Sequence, residues 1–312
     1  MRAVTNFWAY LHMNTKMFKV VLFATTFLSL TATISHSQDF ETGRKAYEAR
    51  DYRTARAEWT PLAQEGDANA QFRLGLLYQL TSALGLDEPE VYTDGIKWIH
   101  EAAVQGHANA QHELGLALLK GKGVPQDHLQ AVEWLKLAAD QGFTLSQYEL
   151  GVAFRDGTGV SQDFAVATSW FQLAAEQGHS DAQNNLGARY LSGQGVHQDF
   201  EKAFFWFSSS AKKGNALAQS NLGAMYSNGQ GVSQNLSKAY MWLTLATNDN
   251  YKLGTTAETM TSSLNNLVKS PASTVNQWKE NLSMLEGYMS HTEVAKAKAE
   301  AARCLASQYS KC

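Results

Sequence analysis

Trp98, Trp134, Trp170, Trp206 and Trp242 are separated by the same step of 36 residues. A fixed period of this length constrains the fold more than any other feature of the chain. It means one small unit stacked on its neighbours, with a core that grows along one axis rather than around a centre. A glutamine series keeps the same step from Gln111 through Gln147, Gln183 and Gln219, and Gln71 precedes it by 40 residues. A four-residue excess between Leu80 and Asp94 accounts for that longer first step.

The spacing predicts a helix pair in each unit. Taken at 100° per residue, Ala68, Gln71, Leu74, Gly75 and Tyr78 fall on one face, which makes an amphipathic helix, here helix A. A Leu-Gly pair recurs three residues after each glutamine, at Leu74-Gly75, Leu114-Gly115, Leu150-Gly151, Leu186-Gly187 and Leu222-Gly223. Glycine inside a helix costs roughly 1 kcal/mol of propensity. Five such glycines therefore imply a close approach by another helix. A Gly-x-Gly-Val loop follows, as in Gly157-Thr158-Gly159-Val160, where glycine turns the chain through positive φ. Asp127, Asp163 and Asp199 then stand where a carboxylate caps the next helix, helix B. Helix B carries an alanine three residues before its tryptophan and ends at Gly106, Gly142, Gly178 or Gly214. The tryptophan is expected to be the large body filling the space between adjacent pairs.

Together these form Ala-x-Ala-Gln-x-x-Leu-Gly-x-x-Tyr, then Gly-x-Gly-Val, then Ala-x-x-Trp-x-x-x-Ala-Ala-x-x-Gly. The combined pattern resembles the Sel-one-like repeat, a relative of the tetratricopeptide repeat, over roughly residues 46–246. The resemblance implies an all-α fold, a right-handed α/α superhelix of about five helix pairs over 67–250. An N-terminal capping pair over 38–66 and a C-terminal helical cap over 251–312 are expected to close its ends, with a looser insertion near Val268 to Gln277.

Residues 1–37 have the layout of a secretory signal: Lys16 and Lys19, the apolar run Val20 to Leu30, then Ser35 and Ser37 before Gln38. Cleavage is expected between Ser37 and Gln38, and a start at Met13 gives a more regular leader. The run is too short for a membrane span, which needs about 20 residues. These features give a periplasmic or secreted localisation and no membrane span in the mature chain. Cys304 and Cys312 are the two cysteines of the chain. An even pair in an exported protein favours a disulfide between them.

Among the chemical signatures, the glycine loops lack the strand and the lysine-hydroxyl pair of a phosphate-binding loop. His107 and His112 do not share a helix face, and His107 and His179 occupy a variable repeat position read as surface rather than ligand. No catalytic, cofactor or metal residue is assigned. The formal net charge of −3 leaves no basic excess for nucleic acid. Partner binding is expected on helix A opposite its packing face, centred on Asn69, Arg73, Asn109, Glu113, Glu149, Asp181, Asn185 and Asn221, with Leu145 and Leu217 among them. The resemblance implies a non-catalytic interaction scaffold with a protein or peptide partner, or one related to peptidoglycan. The alternative it leaves open is a cell-wall-related hydrolase or β-lactam-binding protein.

Overall fold

The computed structural model describes residues 40–88, 90–247, 271–310 and 312, so the expected signal segment and the expected Ser37–Gln38 cleavage point lie outside the described residues. Every regular element among the described residues is a helix. None of these helices is long and apolar enough to cross a membrane. The chain forms two compact units, residues 1–110 and 111–312.

The first unit holds α1 (40–48), α2 (Tyr52–Gln64), α3 (Ala68–Ala83), α4 (Glu90–Val104) and the first residues of α5 (Ala108–Lys120). Asp51 caps α2 through the N–H of Thr54, and Trp59 of α2 is buried against Tyr47 and Phe40 of α1. The four-residue excess lengthens α3 to 16 residues, where α5 has 13. The connection it adds is pinned by an ion pair between Arg56 and Asp87. The guanidinium of Arg56 holds the Asp87 carboxyl below its usual range.

The second unit repeats the pair from the rest of α5 and α6 (His128–Asp140), through α7 (Thr144–Asp156) and α8 (Phe164–Glu176), then α9 (Ser180–Ser192) and α10 (Phe200–Ala211), to α11 (Ala216–Asn228) and α12 (Leu236–Ala246). Asp127, Asp163 and Asp199 cap α6, α8 and α10 as expected, and Asn235 does the same for α12. The position before helix A is also a side-chain cap, except at Phe143 before α7. It is filled by Asp67, His179 and Asn215, whose side chains accept from the N–H three residues on, and His107 does likewise for Ala110. His107 and His179 are thus half-buried caps rather than surface residues. Phe72 stacks on His107 and Tyr148 on His179. Burial lowers the pKa of both imidazoles, which keeps Nδ1 free to accept.

The glycines of helix A sit where the sequence reading put them. A Cβ on Gly151 would lie 2.5 Å from the Phe171 ring, one on Gly187 2.8 Å from Phe207, and one on Gly115 2.7 Å from Leu135. Gly75 would meet both Ile99, at 2.6 Å, and the Gly95 carbonyl, at 2.7 Å. The residue received by the glycine is therefore the one after the tryptophan. Ile99, Leu135, Phe171 and Phe207 are fully buried, whereas Trp98, Trp134, Trp170 and Trp206 are half-buried. This corrects the expectation that tryptophan is the main filler. Trp170 and Trp206 each lie against the core of the preceding pair, covering it from the side.

The buried glutamines link successive helices. Gln71, Gln147, Gln183 and Gln219 each donate from Nε2 to the carbonyl eight residues earlier, at 3.0–3.3 Å. The Oε1 atoms of Gln71, Gln111 and Gln147 accept from a glutamine at the end of the following helix B: Gln105 to Gln71 at 2.7 Å, Gln141 to Gln111 at 2.8 Å and Gln177 to Gln147 at 2.7 Å. The equivalent donor for Gln183 is replaced by Lys213, which turns to the Gly178 carbonyl instead. The buried Oε1 of Gln183 is left without a partner among the described residues. An unsatisfied buried acceptor costs about 1–3 kcal/mol. Gln177 bonds both Gln147 and the Gly142 carbonyl, so a glutamine at 213 can make both contacts. Lys213→Gln is therefore expected to raise stability by about 1 kcal/mol in chemical unfolding.

After α12 the 36-residue period is not continued among the described residues. Instead α13 (Pro271–Glu286) and α14 (His291–Ala306) pack on it. Residues 271–277, expected in a looser insertion, form the first turns of α13, while 248–270 lie outside the described residues. A capping box between Ser290 and Glu293 starts α14. Leu285, Ala297, Ala301 and Cys304 join Trp242 and Met241 in one core, so Trp242 is buried where its counterparts are only half-buried. Cys304 and Cys312 form a disulfide.

Candidate functional site

The helix-A positions opposite the packing glycines form a polar row along the second unit. Glu113 on α5, Glu149 on α7, Asp181 and Asn185 on α9 and Asn221 on α11 are all half-buried. Hydrogen bonds link the row between successive pairs. Arg155 Nη1 donates to Asn185 Oδ1 at 3.0 Å, Asn215 Nδ2 to Asp181 Oδ1 at 2.7 Å, and Asn221 Nδ2 to Asn184 Oδ1 at 3.0 Å. Asn185 Nδ2 also donates to the Asp181 carbonyl within its own helix. In the first unit, Asn69 and Arg73 are exposed on α3 and Asn109 is exposed at the start of α5.

The electrostatics of the row are set by burial. Desolvation raises the Glu149 pKa to about 7; Lys120 and Arg155 counter the shift and Asp181 adds to it. Burial raises the Glu113 carboxyl in the same way, with Lys120 opposing. Near neutral pH the Glu149 carboxyl is thus shared between its neutral and ionised forms. An arriving cation would stabilise the ionised form. Arg155 is held by the Asp156 carboxylate through two bonds, at 2.7 and 2.8 Å. The hydroxyl of Tyr148 is buried without a partner among the described residues, and burial raises its pKa. Leu145 and Leu217, two pairs apart on the same helical position, are each 45% exposed.

Sequence reading missed the cations of this row. Lys120 lies seven residues after Glu113 and so on the same helix face, a signal the spacing contained. Arg155 occupies a position held by Leu119 and Leu191 in other pairs, and that departure marks it. Among the described residues no group of three or more His, Cys, Asp or Glu side chains could hold a metal ion. His112 is buried, with Nδ1 2.9 Å from Ser146 Oγ, and burial lowers its pKa to about 4.

The Sel1 repeat pattern matches five consecutive segments, 68–107, 108–143, 144–179, 180–215 and 216–251. The chain belongs to the Sel1 repeat family. Its five Sel1 repeats begin at helix A and end after helix B, as the structure divides them. A protective antigen of uropathogenic Escherichia coli displaying an SLR fold aligns at a TM-score of 0.65 and 26% identity over 86% of this chain. The alignment spans 61% of that antigen's length. A Sel1 repeat protein from Oxalobacter formigenes aligns at a TM-score of 0.63 and 27% identity, over 79% of this chain and 100% of the other. No curated protein matches the chain. Sel1 repeat proteins are generally protein-interaction scaffolds and typically non-catalytic.

Proposed function

We propose that the chain is an exported interaction scaffold that holds an extended polypeptide along the helix-A row of its second unit. The observation that carries this reading is the combination on one face of amide and carboxylate groups with two exposed leucines. Asn185 and Asn221 present amides suited to a peptide backbone. Leu145 and Leu217 offer apolar contacts to its side chains, and Glu113 and Glu149 are suited to a basic one. The basic, apolar and small-residue order of residues 16–38 supports export to the periplasm or outside the cell.

A photo-crosslinking residue placed at Leu145 or Leu217 in cells is expected to capture the same protein, on a mature chain that begins at Gln38. The same probe at Leu137, exposed on α6, serves as the helix-B control. Equal capture from Leu137 would remove the helix-A face as the binding surface. A crosslinked chain that retains Val20 to Leu30 would remove export.

A further inference from the structure

A cavity of about 570 Å³ is lined by α10, α11, α12 and α14 and by none of the helix-A row residues. Its volume is in the range of small-molecule sites, about 300–1,000 Å³. The walls are aromatic: Phe204 on α10, Tyr226 on α11 and Trp242 on α12, with Phe205 59% exposed at the margin. Phe204 meets Tyr226 edge-on at 5.4 Å, which fixes both rings. Three cations border the same space, Lys212, Lys238 and Arg303, against one side-chain carboxylate, that of Glu300.

That carboxylate lies 3.9 Å from Arg303, so it offsets one cation. Lys238 sits 5.2 Å from the centre of the Tyr226 ring and has no carboxylate partner among the described residues, and neither does Lys212. The remaining wall is Cys312, which the disulfide ties back to α14. The turn between the two cysteines is also packed. Gln308 and Tyr309 have positive φ, and Tyr309 rests on Gly214, where an added Cβ would come within 2.9 Å of its ring.

Apolar walls select a flat hydrophobic body, and two cations without carboxylate partners at the edge select a negative head group. We infer that this cavity is a binding site for an aromatic carboxylate, and that the Cys304–Cys312 bond keeps its last wall in place. Lys212 and Lys238 receive the carboxylate while Phe204, Tyr226 and Trp242 enclose the ring.

The test is calorimetric titration of the full mature chain with 2-naphthoate and, separately, with the uncharged 2-naphthylmethanol. The acid is expected to bind about tenfold more tightly, as one charge-assisted hydrogen bond of about 1.5 kcal/mol provides. The Lys212→Gln/Lys238→Gln double variant, which changes only exposed side chains, should erase that preference and leave the alcohol's affinity unchanged. Cys312→Ser should weaken both ligands, and Lys136→Gln, on α6, neither. With methyl-labelled methionine, the Met241 resonance should move on addition of the acid while that of exposed Met284 stays fixed. No binding to the intact chain, equal affinity for acid and alcohol, or a preference that survives the double substitution would each overturn the assignment.

Discussion

Gly195→Ala is expected to destabilise the protein by more than about 3 kcal/mol, while Gly193→Ala, two residues away in the same loop, costs about 1 kcal/mol. Both glycines have left-handed φ, +73° at Gly193 and +78° at Gly195. An alanine there carries a conformational penalty of about 1–2 kcal/mol. The difference lies in what a Cβ would meet. At Gly193 the nearest atom is the Gln198 Cβ, at 3.3 Å. At Gly195 the Cβ would fall 2.1 Å from the carbonyl oxygen of Phe164 and 2.8 Å from the amide nitrogen of Ala165. Those are backbone atoms of the first turn of α8, whose Phe164 carbonyl also accepts from the Thr168 hydroxyl. They can yield only if the pair of repeats separates, which adds an overpacking cost of about 1–3 kcal/mol. Urea unfolding of the two single variants measures the gap. Equal losses would mean that the loop does not rest on the preceding helix.

Phe171→Ala is expected to cost about 3–5 kcal/mol, and Trp170→Ala about half as much, although tryptophan is the larger side chain. Phe171 is fully buried, its ring 2.5 Å from where a Gly151 Cβ would stand and 6.0 Å from the centre of the Tyr148 ring. Truncating it leaves a cavity that the two helices cannot close without moving. Trp170 is half-buried and leans on the core of Val132, Leu135 and Leu150, so its removal exposes surface more than it opens a void. Chemical denaturation of both variants orders the two losses, and a larger loss at Trp170 would reverse the assignment of the core position.

The repeat was legible because its geometry depends on residues of extreme character. Glycine recurs at Gly151 and Gly187 where nothing larger fits, and aspartate recurs at Asp163 and Asp199 where only a short acceptor caps the helix. Which bulky residue fills the core was not legible. Trp170 and Phe171 are adjacent, both are hydrophobic, and a rotation of 100° decides between them. The cap at His107 and His179 was hidden for a related reason: aspartate, asparagine and neutral histidine all supply one acceptor, so chemical equivalence appeared as variation. Of the candidate face, its position along helix A was legible, and the half-burial of Glu113 and Glu149 was not. Burial depends on the distance between helices from neighbouring repeats, which no single helix encodes.

The glutamine bonds give the array a property of another kind. In the second unit the acceptor for the Nε2 of Gln147, Gln183 and Gln219 lies eight residues back, and the donors to the Oε1 of Gln111 and Gln147 lie 30 residues ahead. In the first unit that second interval is 34, and the bond still forms at 2.7 Å, because the four additional residues are taken up by the longer α3 and the stretch that follows it. Each linkage therefore refers only to an adjacent helix and never to a distant part of the chain. A gene segment encoding one whole period can be copied or removed, and the severed bonds re-form with whichever repeat becomes the new neighbour. Length is thereby free to vary by recombination while the architecture stays fixed. The extent of the helix-A face becomes a heritable dimension that can change without the invention of a new fold.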